Sequence, residues 1–337
     1  MHDNLIELRH DSVLRGLTQP IQDILNEPGI NEIMINGPHD VFIEKNGEIA
    51  AYKDDNKYFT ENLLLTLATL IATSTRQKVD AKHPLLSASL PEGERVQIVL
   101  PPACERGKVV LSIRKPNPIR LTIDDYVSSG AFRQAVKSSE SKTSEDLIPL
   151  SDAYDTKQWA VFFKLAVKTR QNIVISGSTG SGKTTFTNAL IAAIHPEDRI
   201  ITIEDVREVT VAQANRVHLL VSKGDQGKAK VSVGDLVQAC LRLNPKRILL
   251  SELRGAEAFD FLNAINTGHN GSITSIHANN ALAVYDRLYT MIKQSDQGRD
   301  MPKPEIVDYC RSVVDVIAHF DQIDGQRVLT EVHYEKK

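Results

Sequence analysis

The chain is poor in the residues that build metal-held or disulfide-held scaffolds. Its 337 residues include three cysteines, Cys104, Cys240 and Cys310. They are widely spaced, so no pair has zinc-ligand spacing, and an odd, scattered set reads as reduced thiols of a cytosolic protein. A single tryptophan and an aromatic content of 5%, with no basic stripe, argue against a stacking platform for nucleic acid. Neither charge sign dominates: the formal net charge is −3, which leaves no electrostatic footprint for general nucleic-acid binding. No run approaches the ~18 apolar residues of a membrane span. The polar start Met1-His2-Asp3-Asn4 has no apolar signal-peptide core. A cytoplasmic protein is expected, meeting a membrane only peripherally or through a partner.

What is present is enough chain for two cores. Residues 1–117 mix helical and strand patterns. Leu14, Leu17, Ile21, Ile24 and Leu25 recur at helical spacing up to Glu27-Pro28-Gly29. Ile30–Ile35, Val41–Glu44, Arg95–Leu100 and Val109–Arg114 read as strands, Lys45-Asn46-Gly47-Glu48 as a hairpin turn, and Leu63–Ala72 as an apolar helix. This predicts an α+β domain with an antiparallel sheet. Residues 118–156 read as a linker, with Pro118 breaking regular structure and Ser138–Asp146 strongly polar. A solvated loop and a hinge between moving domains both fit. Residues 157–337 read as α/β: Trp159–Val167 is helical, and Ile173–Ile175, Ile200–Ile203 and Ile248–Leu250 are short all-apolar strands of a doubly wound parallel sheet.

The strongest chemical signal is Gly177-Ser178-Thr179-Gly180-Ser181-Gly182-Lys183-Thr184, followed by Thr185. It matches G-x-x-x-x-G-K-[ST] with a strand before and a helix after, the setting in which that pattern cradles nucleotide phosphates. The glycines let successive backbone N–H groups face one anion, and the helix adds its positive end. Lys183 supplies a charge for the β- and γ-phosphates, and Thr184 offers a hydroxyl to Mg²⁺. ATP and Mg²⁺ are therefore the expected ligands. The strand Arg247–Glu252 ends in an acid, and parallel-sheet ligands bind beyond the carboxyl ends of strands. Glu252 is thus the candidate to polarise the attacking water. Glu204 and Asp205 end another buried strand and are candidates for the metal's surroundings, with Asp205 as its ligand; a capped surface turn is the alternative. The Gly268–Ala278 segment carries His269 and His277, placed to report on the γ-phosphate or on Glu252; a structural role is the alternative for both.

These residues together resemble the hexameric secretion-superfamily ATPases, and within them the traffic ATPases of type IV secretion and conjugation. Ile203-Glu204-Asp205 is similar to that family's aspartate box. Leu241-Arg242, Pro245-Lys246-Arg247-Ile248 and Glu252-Leu253-Arg254-Gly255 are similar to its Walker B segment, and Thr267–Gly271 with Ser275–Ala278 to its histidine box. Glu32–Gly37, Arg95-Val96-Gln97 and Ser112–Pro116 resemble the same branch in the first domain. Lys246 and Ser251 depart from the usual acid and glycine, and Val206 stands where pilus motors carry proline. The absent tetracysteine site favours the type IV branch over many type II relatives.

The resemblance implies a C-terminal RecA-like P-loop domain behind an N-terminal α+β (PAS-like) domain. It implies a homohexameric Mg²⁺-dependent ATP hydrolase that powers substrate transfer or pilus assembly beside inner-membrane partners, at the cytoplasmic face of the inner membrane. Lys183, Glu252, Glu204 and His277 are its candidate catalytic residues. Arg95 and Arg114 fall on the motifs that bring basic residues to the nucleotide; the alternative is a solvated strand position. Arg120 is a further candidate, and Arg207 and Arg254 are candidates for contacts between subunits. The rival activity is a helicase-like nucleic-acid motor on the same core. Direct nucleic-acid binding is not expected.

Overall fold

One long helix, α1 (His2–Leu25), begins the chain and accommodates Pro20 within it. Its Leu14, Ile21, Ile24 and Leu25 are buried, the face that the apolar spacing marks out. The computed structural model describes residues 2–116, 122–130, 147–221 and 229–335. Strands β1 (Ile30–Gly37), β2 (Asp40–Lys45) and β3 (Glu48–Tyr52) form a meander; helix α2 (Glu61–Ser74) precedes β4 (Leu85–Ser89), β5 (Arg95–Val99) and β6 (Val110–Arg114). They make a six-stranded sheet in the order β3-β2-β1-β6-β5-β4, antiparallel at every pairing. The β2–β3 turn places Asn46 and Gly47 at φ 55° and 85°, the conformation a two-residue type I′ hairpin requires. Helices α1 and α2 bury their apolar faces with the sheet in one cluster, where Leu64, Leu67 and Ile71 meet Ile33, Ile35 and Ile98.

Two helices occupy the described part of the expected linker. Helix α3 (Ile123–Ser128) starts in a capping box, Thr122 and Asp125 each serving the other's backbone N–H. Helix α4 (Ile148–Asp155) buries Leu150 and Ala153 and packs with α5 (Trp159–Lys168), where Tyr154 meets Trp159 and Phe162 edge-on or tilted. Apolar residues at 150 and 153 place that stretch against the second core. The Ser138–Asp146 run, Pro118 and Arg120 lie outside the described residues.

The rest of the chain is β7 (Ile173–Gly177), α6 (Lys183–Ala192), β8 (Ile200–Glu204), β9 (Arg216–Leu220), α7 (Val233–Cys240), β10 (Arg247–Leu253), α8 (Glu257–Asn266), β11 (Ile273–Ile276), α9 (Ala283–Ile292), α10 (Lys303–Val313), β12 (Val316–Ile323) and β13 (Gln326–Tyr334). The sheet order is β13-β12-β7-β11-β10-β8-β9. From β12 to β9 all neighbours are parallel. Every residue of β7, β8 and β11 is buried, as all-apolar strands require when both faces are covered. Helices α4 to α6 pack on one face and α7 to α10 on the other. The departure from an all-parallel sheet is β13, which pairs antiparallel with β12. Asp324 and Gly325, at φ 49° and 75°, close a two-residue turn too short for a parallel crossover.

The two domains share a core within one chain. Val99, Ala103, Cys104 and Val110 pack with Val217, Leu219 and Leu236, and Ala103 O accepts from Leu220 N–H at 2.9 Å. Arg199, fully buried, donates from Nε to Leu243 O at 2.8 Å and from Nη1 to Asn36 Oδ1 at 2.7 Å, and also reaches Asn215. Burial pulls its pKa down to about 10, so it stays charged at neutral pH.

Candidate active site

The parallel strands give the second domain two unlike ends. Turns that follow β7, β8, β10 and β11 gather at the carboxyl end, where ligands of such sheets bind. Segments that precede β10 and β11 gather at the opposite end.

At the carboxyl end, β7 stops at Gly177. A Cβ there would stand 2.2 Å from Phe320 O on β12, so only glycine lets the strand lie this close before the loop turns away. Gly180 and Gly182 have φ of 80° and 97°, and α6 begins directly after, at Lys183. The first N–H groups of α6 have no partners within the helix and face the loop's concavity. Lys183 folds back over the loop, donating from Nζ to Gly177 O at 2.9 Å and Ser178 O at 2.8 Å. Burial lowers its pKa, and Glu252 opposes that shift. A cavity of about 380 Å³ opens here, lined by Thr179, Lys183, Thr184, Asp205, Glu252 and His277 among others.

Glu252 sits near the end of β10. Its Oε2 accepts from Arg254 Nε at 2.9 Å and Nη2 at 2.5 Å, and His277 Nε2 stands 2.8 Å from its Oε1. His277 Nδ1 lies 3.1 Å from Gly177 O and 3.4 Å from Lys183 Nζ. One histidine thus touches the phosphate loop, its lysine and the candidate base. Arg254 also donates from Nη1 to Asp205. Arg254, a candidate for contacts between subunits, is engaged here with the acids of its own site. Asp205 and the Thr184 hydroxyl line the cavity as hard oxygen donors, the chemistry that suits Mg²⁺.

Glu204 is placed differently from Asp205. Its carboxylate is fully buried and does not line the cavity. Oε2 accepts from the N–H groups of Glu208 and Val209, both at 2.8 Å, and Oε1 from Thr202 and Arg207, both at 2.8 Å. Burial opposes its charge, yet hydrogen bonds from His218, the two N–H groups and Thr202 outweigh it and hold the pKa at about 2. Strand alternation explains the split, because adjacent residues at a strand end point to opposite sides. Arg207 bridges Glu204 to Glu105 of the first domain, its Nε 3.1 Å from Glu105 Oε1.

Arg95 and Arg114 do not meet this cavity. They line a groove of about 910 Å³ between the domains, with Glu32, Arg242, Asn244 and His269. Residues 242, 244 and 269 precede β10 and β11, so the groove opens at the other end of the sheet. The two histidines of the Gly268–Ala278 segment are therefore separated by the length of β11. His269 bonds Pro245 O at 2.9 Å through Nδ1, and burial lowers its pKa. The His277–Glu252 contact is one of the two that the sequence offers for that histidine; Arg254's contacts with Glu252 and Asp205 are not assigned by residue spacing, and their signal is a position just after a buried strand.

Known proteins resemble this chain in sequence and fold. The family model described as "Type II/IV secretion system protein" matches residues 16–320. The chain is 37% identical to the type IV secretion system protein VirB11 of Bartonella henselae over 348 residues, covering 99% of this chain and 97% of that one. It is 40% identical to VirB11 of Brucella suis over 325 residues, covering 94% and 89%. The crystal structure of the VirB11 ATPase from the Brucella suis type IV secretion system, in complex with sulphate, superposes with a TM-score of 0.88 at 38% identity, covering 95% of this chain and 97% of that one. With the phosphate loop, the acids and the histidine gathered at one end of its parallel sheet, the chain belongs to the type II/IV secretion system protein family and is one of its secretion ATPases.

Proposed function

We propose that the protein works as a ring, hexameric by its resemblance, that hydrolyses ATP with Mg²⁺ to power substrate transfer or pilus assembly at the cytoplasmic face of the inner membrane. The observation that carries this reading is the convergence of Lys183, Thr184, Asp205, Glu252 and His277 on one cavity at the carboxyl end of the sheet. No helix among the described residues is long and apolar enough to cross a membrane, so docking would run through inner-membrane components of the secretion machine. The helicase alternative draws no support from these relatives.

The roles follow from position. Backbone N–H groups of residues 178–185 hold the phosphates. Lys183 exchanges the carbonyls of Gly177 and Ser178 for β- and γ-phosphate oxygens, a stronger charge-assisted contact. Thr184 and Asp205 would hold Mg²⁺, which supplies charge neutralisation at the phosphates. Glu252 takes the proton of the attacking water. His277, between Lys183 and Glu252, positions the acid according to what Lys183 binds. Glu204 serves as a positioning residue, pinning the turn that carries Asp205.

The cavity's own side-chain charges nearly cancel: Asp205, Glu208 and Glu252 face Lys183 and Arg254. The added cations that stabilise phosphoryl transfer are then best supplied by Arg95 and Arg114 of a second copy. A site at one end of a molecule and its complement at the other give a head-to-tail contact, which closes into a ring. Lys183→Ala should abolish phosphate release; undiminished turnover would overturn the assignment.

A further inference from the structure

The groove between the domains holds more positive charge than Arg95 and Arg114 provide. These two stand directly opposite each other on β5 and β6, an arrangement of like charges that ordinarily destabilises a sheet. Among the described residues neither has a hydrogen bond or an ion pair with a carboxylate. The groove's single acid is spoken for: Glu32 accepts from Ser112 through Oε1 and from Asn244 Nδ2, at 3.1 Å, through Oε2. Burial raises the pKa of Glu32 against the pull of Ser112, Arg199 and Arg114, which weakens it as a counter-ion; it feels the charge of Arg114 without pairing with it.

Arg242 enters the groove from the facing wall. It follows α7, with its backbone N–H bonded to Ala239 O at 3.0 Å and with Leu243 beside it fully buried. The backbone is thereby fixed while the side chain remains exposed. Its Nη1 reaches across the domain boundary to Ser87 Oγ at a long 3.4 Å, and no carboxylate is within ion-pair distance among the described residues. Three guanidiniums from two domains therefore face one cavity, and no carboxylate is ion-paired with any of them. Guanidiniums left without partners and held on fixed backbone are preorganised for an anion.

We propose that Arg242 is a third phosphate-contacting arginine, presented together with Arg95 and Arg114 to the triphosphate of ATP held on the phosphate loop of a second copy of this chain. The proposal rests on the ring reading given above and adds to it a residue from the ATPase domain itself. The surface that one chain turns towards the second copy's ATP is then built by both of its domains, so that the bound phosphates read the closure of the groove rather than the position of the first domain alone.

The test is complementation between inactive chains. The Arg242→Ala chain keeps its phosphate loop and lacks the groove contact; the Lys183→Ala chain keeps its groove and lacks the loop contact. Arg242→Ala alone should lower ring turnover at least tenfold, less than the ~10³ or more that a sole arginine at a transferring phosphate contributes, because Arg95 and Arg114 remain. ATP binding by dilute, unassembled chain should stay unchanged. In a 1:1 mixture, about a quarter of head-to-tail contacts join an intact loop to an intact groove, and turnover should rise above the mean of the two parents. Arg95→Ala mixed with Lys183→Ala runs in parallel. Recovery with Arg95→Ala but not with Arg242→Ala, or wild-type turnover of Arg242→Ala alone, overturns the role of Arg242 and leaves the ring reading intact. Failure of the Arg95→Ala mixture overturns the ring reading itself. Should Arg242→Ala not assemble, Arg242→Lys takes its place: it keeps charge without the planar fork and should show intermediate turnover.

Discussion

The two ends of the parallel sheet solve opposite electrostatic problems. At the carboxyl end the charges are interlocked: Arg254 ties Glu252 to Asp205, and His277 stands between Glu252 and Lys183. At the amino end Arg95, Arg114 and Arg242 face a groove in which, among the described residues, no carboxylate is within ion-pair distance of them. A cluster whose charges pair with one another is held in place by the fold, with Glu252 Oε1 left without a hydrogen bond beside His277, and a substrate must outcompete its contacts. A cluster of unpaired guanidiniums is tolerated because water solvates it, and it becomes informative when one asks which anion it awaits. Under the ring reading proposed above, the difference would separate residues that perform the chemistry in their own chain from residues offered to another.

That separation can be broken by experiment. The largest effect is expected at the carboxyl end: Glu252→Gln should lower turnover by about 10²–10⁴ while nucleotide binding, read by a fluorescent ATP analogue, persists. Loss of binding in step with turnover would place Glu252 among the binding contacts instead. At the amino end, Arg114→Ala should lower kcat of the ring by about 10³ and leave nucleotide binding to isolated chains unchanged; weaker binding by isolated chain would move Arg114 to its own cavity. The joint between the domains is tested by Arg199→Ala, which leaves Asn36 Oδ1 and the Leu243 carbonyl without their buried donor, while Asn215 Oδ1 keeps Asn36 Nδ2 at 3.0 Å. A loss of about 3 kcal/mol in denaturant unfolding is expected, and a change below about 0.5 kcal/mol would show a joint that does not need it.

The smallest effect concerns pH. Glu204 has a folded pKa of about 2 against an ordinary 4.5. Its charged form therefore contributes stability that is complete above about pH 4.5 and is lost as pH falls towards 2. Glu204→Gln should flatten the acid limb of stability in that window; an unchanged limb would assign the acid sensitivity elsewhere.

The elements were largely legible because their signals are local. The Leu14–Leu25 spacing, the Asn46-Gly47 turn and the all-apolar strands each depend on neighbours along the chain. Helix α4 was hidden because an eight-residue helix with two buried positions carries little periodicity of its own. The phosphate loop was readable for the same local reason, since its eight consecutive residues contain the glycines, the lysine and the hydroxyl that the backbone alone brings to one anion. The acids at strand ends were likewise legible, while the basic positions at 95 and 114 came only from the family resemblance. The sequence did not reveal that Glu204 turns inward while Asp205 turns to the cavity, or that Arg254 holds the site's own acids. Those outcomes depend on which face of a strand meets which neighbour, and the sheet decides that through partners from other strands, His218 on β9 for Glu204 and Asp205 after β8 for Arg254.

By itself, then, the sequence determined that this protein cradles a phosphate, because the chain segment that does so is contiguous. Only the tertiary structure decided where the arginines stand. The direction of the parallel strands puts residues just before β10 and β11 at one end and the phosphate loop at the other, and no local pattern encodes a separation made by the whole width of a sheet.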